Sequence, residues 1–142
     1  MAMDWILHRL ACGSLDDAVA LATHPPLRTI NRVLTLSEQI QLLSTIHTHY
    51  APIPDETWLP RDLWQARVDT LRMLLSVETT VLVHCRLGHS RSPALCAAYL
   101  VSCGMSCDEA RALVEARHPD ARIHHETWRG VVDWAGEQRG MA

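Results

Sequence analysis

Lysine and phenylalanine are both absent from this 142-residue sequence, so all 13 basic residues are arginine and other side chains must fill the core. The net charge of −3 leaves no basic excess, which argues against general binding to nucleic acid or a membrane surface. No apolar run approaches the ~18 residues of a membrane-spanning helix. We therefore expect one globular domain over residues 1–142, because this length supports one core and not comfortably two.

Cysteine spacing gives no sign of a disulfide framework or a metal site. The five cysteines lie at positions 12, 85, 96, 103 and 107, and no Cys-x-x-Cys or His-x₃-His pair completes a ligand set. We expect no metal and no cofactor. The odd number, together with the lack of a secretory leader, predicts a reducing, cytoplasmic location. A reversible disulfide between Cys85 and another cysteine is left open.

Short β-branched runs alternate with one-sided apolar patterns along the first half of the chain, and helical patterns fill the second half. Strands are predicted at 5–10, 30–36, 47–51 and 80–84. Helices are predicted at 15–23, 60–77, 93–102, 106–118 and 122–136, with a short helix or turn after Ser37. Strands mixed with helices and followed by a run of helices indicate an α/β domain.

The stretch 81–95 carries the chemistry. A β-branched strand enters a loop in which five residues separate Cys85 from Arg91, and Pro93 is expected to start a helix. Backbone N–H groups at such a helix N-terminus bind phosphate oxyanions, and the same positive field favours a thiolate at Cys85. The N–H groups expected to bind phosphate are those of Arg86, Leu87, Gly88, His89, Ser90 and Arg91.

The string His84-Cys85-x-x-Gly88-x-x-Arg91-Ser92 resembles the signature loop of the cysteine-dependent protein phosphatases. With Ser90 and Pro93 included, it is most similar to the dual-specificity branch. The resemblance implies a small mixed central sheet flanked by helices, with the phosphate-binding loop between a strand and a buried helix. The alternative, a buried structural Cys85 and a solvated Arg91, does not account for the agreement between motif and context.

The residues of the motif suggest distinct roles. Cys85 would be the nucleophile and form a cysteinyl-phosphate intermediate. The planar fork of Arg91 matches two phosphoryl oxygens. Ser92 is expected to donate a hydrogen bond to the Cys85 sulfur, to cap the helix before Pro93, or both. His84 is expected to support the loop structurally, and His89 to lie at its rim.

The general acid must come from elsewhere, because the loop contains no carboxyl group. Pro54-Asp55 resembles the acid-bearing loop of dual-specificity phosphatases, and Asp55 is our candidate. Glu56 and Asp62 compete with it, although Asp62 is better placed to stabilise the first turn of a helix. A carboxylic acid that must be protonated to act predicts an acidic rate optimum.

These features together predict a phosphatase acting on phosphotyrosine, and on phosphoserine or phosphothreonine if the pocket is shallow. The absence of phenylalanine favours a shallow pocket. The expected partner is a phosphorylated protein, not a nucleic acid or a membrane. Phosphoinositides and RNA 5′-phosphates remain alternative substrates, and a phosphopeptide-binding module without turnover and a sulfurtransferase remain alternative functions.

Overall fold

The structure is a computed structural model that describes residues 3–21, 30–37, 47–76 and 78–140, with side chains described as far as residue 136. The short helix or turn predicted after Ser37 lies largely outside these ranges, as does the end of the first predicted helix. None of the described helices combines the length and apolarity needed to cross a bilayer.

The described strands form one mixed sheet. Its members are β1 (Asp4–Leu7), β2 (Leu10–Gly13), β3 (Arg32–Thr35), β4 (His47–Tyr50) and β5 (Val81–His84), in the spatial order β1-β2-β5-β3-β4. Only the pairing of β1 with β2 is antiparallel. Gly13 and Thr35 pair on either side of His84, so the segments that follow β2, β3 and β5 meet at one edge of the sheet.

The prediction of a single strand over 5–10 is wrong. The chain turns at His8 and Arg9, and the flanking segments pair as the hairpin β1–β2. The apolar pattern continues across the turn because Ile6 before it and Leu10 after it are both fully buried. The pattern therefore resembles that of one strand. The Arg9 guanidinium donates to the Leu75 carbonyl at 2.8 Å, which ties the turn to a helix end. Sequence periodicity carries no trace of that long-range contact.

Helices cover both faces of the sheet, as predicted for the fold class. They are α1 (Leu15–Ala20), α2 (Arg61–Leu75), α3 (Arg91–Ser102), α4 (Cys107–Arg117) and α5 (His125–Gly140). On one face α1 packs in a small cluster with Val33 and Leu82, and on the other α2 to α5 enclose a larger core. The capping box predicted at Ser106 and Glu109 is present. The mixed α/β sheet flanked by helices is confirmed.

The starts of two helices differ from prediction, and both differences concern the site. Helix α3 begins at Arg91 with Ser90 in the N-cap position, so the prediction that Ser92 caps this helix is wrong. Because Ser92 already lies within the first turn of α3, its side chain is not used as the cap and can make other contacts. Helix α5 begins at His125, three residues later than predicted, and leaves residues 122–124 outside the helix, in contact with the loop.

Candidate active site

The loop between β5 and α3 is held from outside by hydrogen bonds to its carbonyl groups. The Arg86 carbonyl accepts from Leu15 N at 2.9 Å, and the His89 carbonyl accepts from Arg122 N at 2.5 Å. The Gly88 carbonyl accepts from His118 Nε2 at 2.6 Å. Because a trans peptide places its C=O and N–H on opposite sides, the N–H groups that follow these carbonyls are turned the other way, toward the cavity. This is the nest expected for an oxyanion.

Gly88 is required by both conformation and space. Its φ of +75° lies in the left-handed region, which side chains other than glycine rarely adopt. A Cβ at this position would lie 3.0 Å from the carbonyl carbon and oxygen of Gly13, the last residue of β2. The close approach of the two backbones fixes the loop against the end of the sheet.

Cys85 lies at the floor of the cavity and is only 2% exposed. Its sulfur contacts the Ser92 backbone N–H at 3.4 Å and the Ser92 hydroxyl at 3.2 Å. The same hydroxyl lies 3.2 Å from the Gly13 carbonyl, to which it can donate. A hydroxyl carries one proton, so Ser92 can donate to the sulfur or to the carbonyl, but not to both at full strength.

His84 is fully buried, and its Nδ1 lies 3.1 Å from the Cys85 carbonyl, to which it can donate. Burial lowers the pKa of His84, the hydrogen bond to the Cys85 carbonyl raises it, and Asp17 and Arg91 act in opposite directions with smaller effect. The net shift is downward. His84 is therefore neutral at neutral pH, in keeping with the predicted structural support.

Arg91 joins three segments of the chain. One terminal nitrogen donates to the Ile53 carbonyl at 3.1 Å and to the Leu36 carbonyl at 3.4 Å. Its Nε makes no hydrogen bond within the described residues and lies 3.5 Å from the Asp55 carboxylate. A buried guanidinium with an unused N–H beside the cavity is suited to bind an anion.

The two candidate acids that enter the site lie on the loop before α2. Asp55 Oδ1 accepts from the Glu56 backbone N–H at 3.0 Å, and its side chain is 43% exposed. Glu56 has a φ of 53° and places its carboxylate 4.0 Å from His124 Nε2. Asp62, in contrast, is in the first turn of α2 with its side chain 97% exposed, and it does not line the cavity. The structure brings Asp55 and Glu56, but not Asp62, to the cavity.

One cavity of about 510 Å³ collects most of the predicted groups, whereas His84, Gly88 and Ser92 do not line it. Its lining residues are Asp55, Glu56, Cys85, Arg86, Leu87, His89, Ser90, Arg91, Arg122 and His124. The last two were missed by sequence reasoning, which assigned both to a helix. His124 N donates to the Ser90 hydroxyl at 3.0 Å, so the segment before α5 forms one wall. Helical periodicity carries no signal for polar residues that lie just before a first turn.

The other cysteines do not enter the cavity. All five cysteines are free thiols, and Cys12 and Cys96 are buried. Burial raises the pKa of Cys12 well above its ordinary value, with a further rise from Cys96, so Cys12 is a neutral thiol. Within the described residues no group of three or more His, Cys, Asp or Glu side chains could hold a metal ion.

Comparison with known proteins gives a consistent result. Residues 29–137 match the family model described as the dual specificity phosphatase catalytic domain. The chain is 36% identical to rat dual specificity protein phosphatase 5 over 75 residues, which are 51% of this chain and 20% of that protein. It is 34% identical to mouse dual specificity protein phosphatase 14 over 93 residues, which are 64% of this chain and 47% of that protein.

The fold is shared with solved structures of the same group. The crystal structure of human DUSP28 superimposes with a TM-score of 0.82 at 19% sequence identity, and covers 98% of this chain and 99% of that one. The chain spans about half or less of the length of the curated relatives that it matches. Because the family model covers most of the sequence, including the loop and the cavity walls, the chain belongs to the dual specificity phosphatase catalytic domain family.

Proposed function

We propose that this chain is a cysteine-dependent dual-specificity protein phosphatase that hydrolyses phosphate monoesters through a cysteinyl-phosphate intermediate. The observation that supports this most directly is the convergence of Cys85, Arg91 and Asp55 on one cavity. A binding module needs an anion nest but has no use for a nucleophile and an acid beside it.

In the first half-reaction the Cys85 thiolate attacks the phosphorus atom, so that an S–P bond forms and the ester P–O bond breaks. The Arg91 guanidinium and the inward N–H groups of the loop stabilise the charge on the phosphoryl oxygens. Asp55, protonated, gives its proton to the departing oxygen. Asp55 lies at the cavity mouth, where a leaving group would emerge.

In the second half-reaction water attacks the phosphocysteine, and Asp55, now a carboxylate, accepts a proton from this water. The S–P bond breaks, and the electron pair returns to sulfur. Ser92 assists at this point, because its hydroxyl lies 3.2 Å from the sulfur and can donate a hydrogen bond to the thiolate as it leaves. Phosphate then leaves the nest.

The proposed substrates are phosphotyrosine and, because no Phe, Tyr or Trp lines the described part of the pocket, phosphoserine and phosphothreonine of proteins. The described residues that line the cavity include none of these three types. A deep aromatic slot would select the long phosphotyrosine side chain, whereas a pocket without one also admits shorter esters. We propose that the catalytic unit is the single domain 1–142.

A polyanionic substrate, such as a phosphoinositide or an RNA 5′-phosphate, is the second candidate. Arg122 and His124 add to Arg86 and His89 around the cavity, which gives more basic groups than the loop alone provides. The carboxylates of Asp55 and Glu56 share the same rim and oppose a highly charged ligand. The protein substrate is therefore the leading proposal.

The decisive experiment measures hydrolysis of an aryl phosphate, of phosphotyrosine and phosphothreonine peptides, and of phosphoinositides. Cys85→Ser should abolish turnover, and Asp55→Asn should reduce it by about a hundredfold on a substrate with a poor leaving group. Cys103→Ser is the matched control, since Cys103 is exposed at the far end of α3. Wild-type turnover by Cys85→Ser would overturn the mechanism. Phosphopeptide binding without turnover by the wild type would identify a binding module.

A further inference from the structure

His118 lies directly after α4 and is 2% exposed, yet both of its ring nitrogens are engaged. Nδ1 lies 2.6 Å from Asp4 Oδ2 in β1, and Nε2 lies 2.6 Å from the Gly88 carbonyl oxygen in the signature loop. A carbonyl oxygen and a carboxylate both accept hydrogen bonds. Both ring nitrogens must therefore carry protons, and the ring is an imidazolium.

The surroundings of the ring support this charge. Burial lowers the pKa of His118, whereas contacts with Cys12, the Gly88 carbonyl and Asp4 raise it, and the net direction is upward from the ordinary value of 6.5. Cys12 in β2 is a neutral thiol beside Cys96 of α3. Asp4 thus supplies the negative charge that stabilises the cation. The adjacent Arg117 side chain is engaged with the Ile6 carbonyl at 2.5 Å.

The His118 cation lies where it can orient one peptide of the signature loop. The Gly88 carbonyl is pulled toward His118, so the His89 N–H of the same peptide is turned toward the cavity. The Arg86 and His89 carbonyls are held by backbone N–H groups, which almost any sequence could supply. The Gly88 carbonyl is held by a charged side chain, which a substitution can remove.

We propose that buried His118 and its half-buried partner Asp4 are a positioning device for the oxyanion nest, in which the His118 imidazolium orients the Gly88–His89 peptide and adds positive charge behind it. His118 does not touch the substrate and acts through the loop. The inference rests on the proposed function only in taking the ligand to be a phosphate-like oxyanion.

The test uses inorganic tungstate as the oxyanion probe and the whole chain. His118→Gln removes the charge, and we expect it to weaken tungstate binding by about tenfold and to raise KM for an aryl phosphate more than it lowers kcat. Asp4→Asn should weaken binding by about threefold. His125→Gln is the matched control, because the His125 side chain is 80% exposed on α5, and it should leave the dissociation constant unchanged.

A spectroscopic readout separates this role from a merely structural one. Imidazole ¹⁵N shifts should show both His118 nitrogens protonated at pH 8 in the wild type, with a lower titration midpoint in Asp4→Asn. A ring that titrates near pH 6.5, or wild-type tungstate affinity in folded His118→Gln, would overturn the proposal. If His118→Gln does not fold, the wild-type titration and the Asp4→Asn affinity decide.

The outcomes distinguish this inference from the proposed function. Tungstate binding that depends on His118 in a chain without turnover would leave the positioning role intact and remove the phosphatase proposal. Turnover with tungstate binding indifferent to both substitutions would do the reverse.

Discussion

The floor and the rim of the cavity differ in how firmly the chain holds them. Cys85, Ser92 and Arg91 on the floor are buried and bonded to segments up to 79 residues away, whereas Asp55 and Glu56 on the rim have side chains that are 43% and 71% exposed. Under the proposed function, the floor would present a nucleophile and an oxyanion site in fixed geometry. The rim would exchange a proton and accept leaving groups of different shape, so solvent access suits it.

Among the substitutions that compare floor with rim, the largest effect is expected from Arg91→Lys, which keeps the charge on the floor but removes the fork. An ammonium cannot hold two phosphoryl oxygens while also donating to the Leu36 and Ile53 carbonyls, so kcat should fall by roughly 10²–10³. Steady-state hydrolysis of an aryl phosphate measures this. Arg86→Lys at the rim is the control, and a loss as large there would erase the distinction between floor and rim.

Gly88→Ala should be the most destabilising of the small substitutions. The left-handed φ and the 3.0 Å approach to Gly13 together predict a loss of about 3 kcal/mol in the free energy of unfolding. Urea denaturation measures the change. Gly104→Ala offers a comparison, because Gly104 also has a positive φ, +114°, but no atom of the described residues lies within 4 Å of the Cβ position. A smaller loss in Gly88→Ala than in Gly104→Ala would contradict a substantial cost from the contact with Gly13.

The two buried histidines beside the loop should respond to pH with opposite sign. For His118 the folded pKa is raised above the unfolded value of 6.5, so its stabilising effect is full below pH 6.5 and lost as pH rises through the folded pKa. His118→Gln should therefore cost about 2 kcal/mol at pH 6 and much less at pH 10. The folded pKa of His84 is lowered, so its charging destabilises the fold as pH falls below 6.5. Denaturation at pH 5, 6, 8 and 10 gives both slopes, and parallel slopes in the His118→Gln and His84→Asn series would contradict the assignment.

Ser92→Ala tests the leaving-group role on the floor. The phosphocysteine should hydrolyse about tenfold more slowly, since the departing thiolate loses a hydrogen-bond donor. Stopped-flow release of the aryl alcohol should then show a burst followed by a slow phase. If the steady-state rate is unchanged and no burst is seen, Ser92 has only a structural role through its contact with the Gly13 carbonyl.

The smallest effect belongs to the rim. Glu56 has a φ of 53° without being glycine, so Glu56→Gly should relieve local strain and gain about 0.5 kcal/mol, after the extra entropy of an unfolded glycine is subtracted. Thermal unfolding compared with Glu56→Gln measures it. A loss of stability would mean that the ion pair with His124 outweighs the strain.

Features that lie within one short stretch of the chain could be predicted from the sequence, whereas contacts between residues far apart in the chain could not. The spacing of Cys85 and Arg91 lies within one strand-loop-helix unit, and Asp55 was found because its loop resembles that of a family. No sequence motif points to Gly13 or His118. Gly13 contacts Ser92, 79 positions away, and His118 contacts Gly88, 30 positions away. Arg122 was hidden for a similar reason. Its position depends on where α5 begins, which the His89 carbonyl helps to set.

The hydrogen bonds of Arg91 bear on how such a site could be moved to another scaffold. One terminal nitrogen of the guanidinium donates to carbonyls that follow β3 and precede α2. The loop that Arg91 ends contacts the end of β2 and the residue after α4. A ten-residue graft of the motif would carry the nucleophile without these acceptors and donors. The unit that would have to be transferred is the set of strand ends and loops that meet at one edge of the sheet. The site therefore belongs to this edge of the sheet as a whole and not to the motif alone.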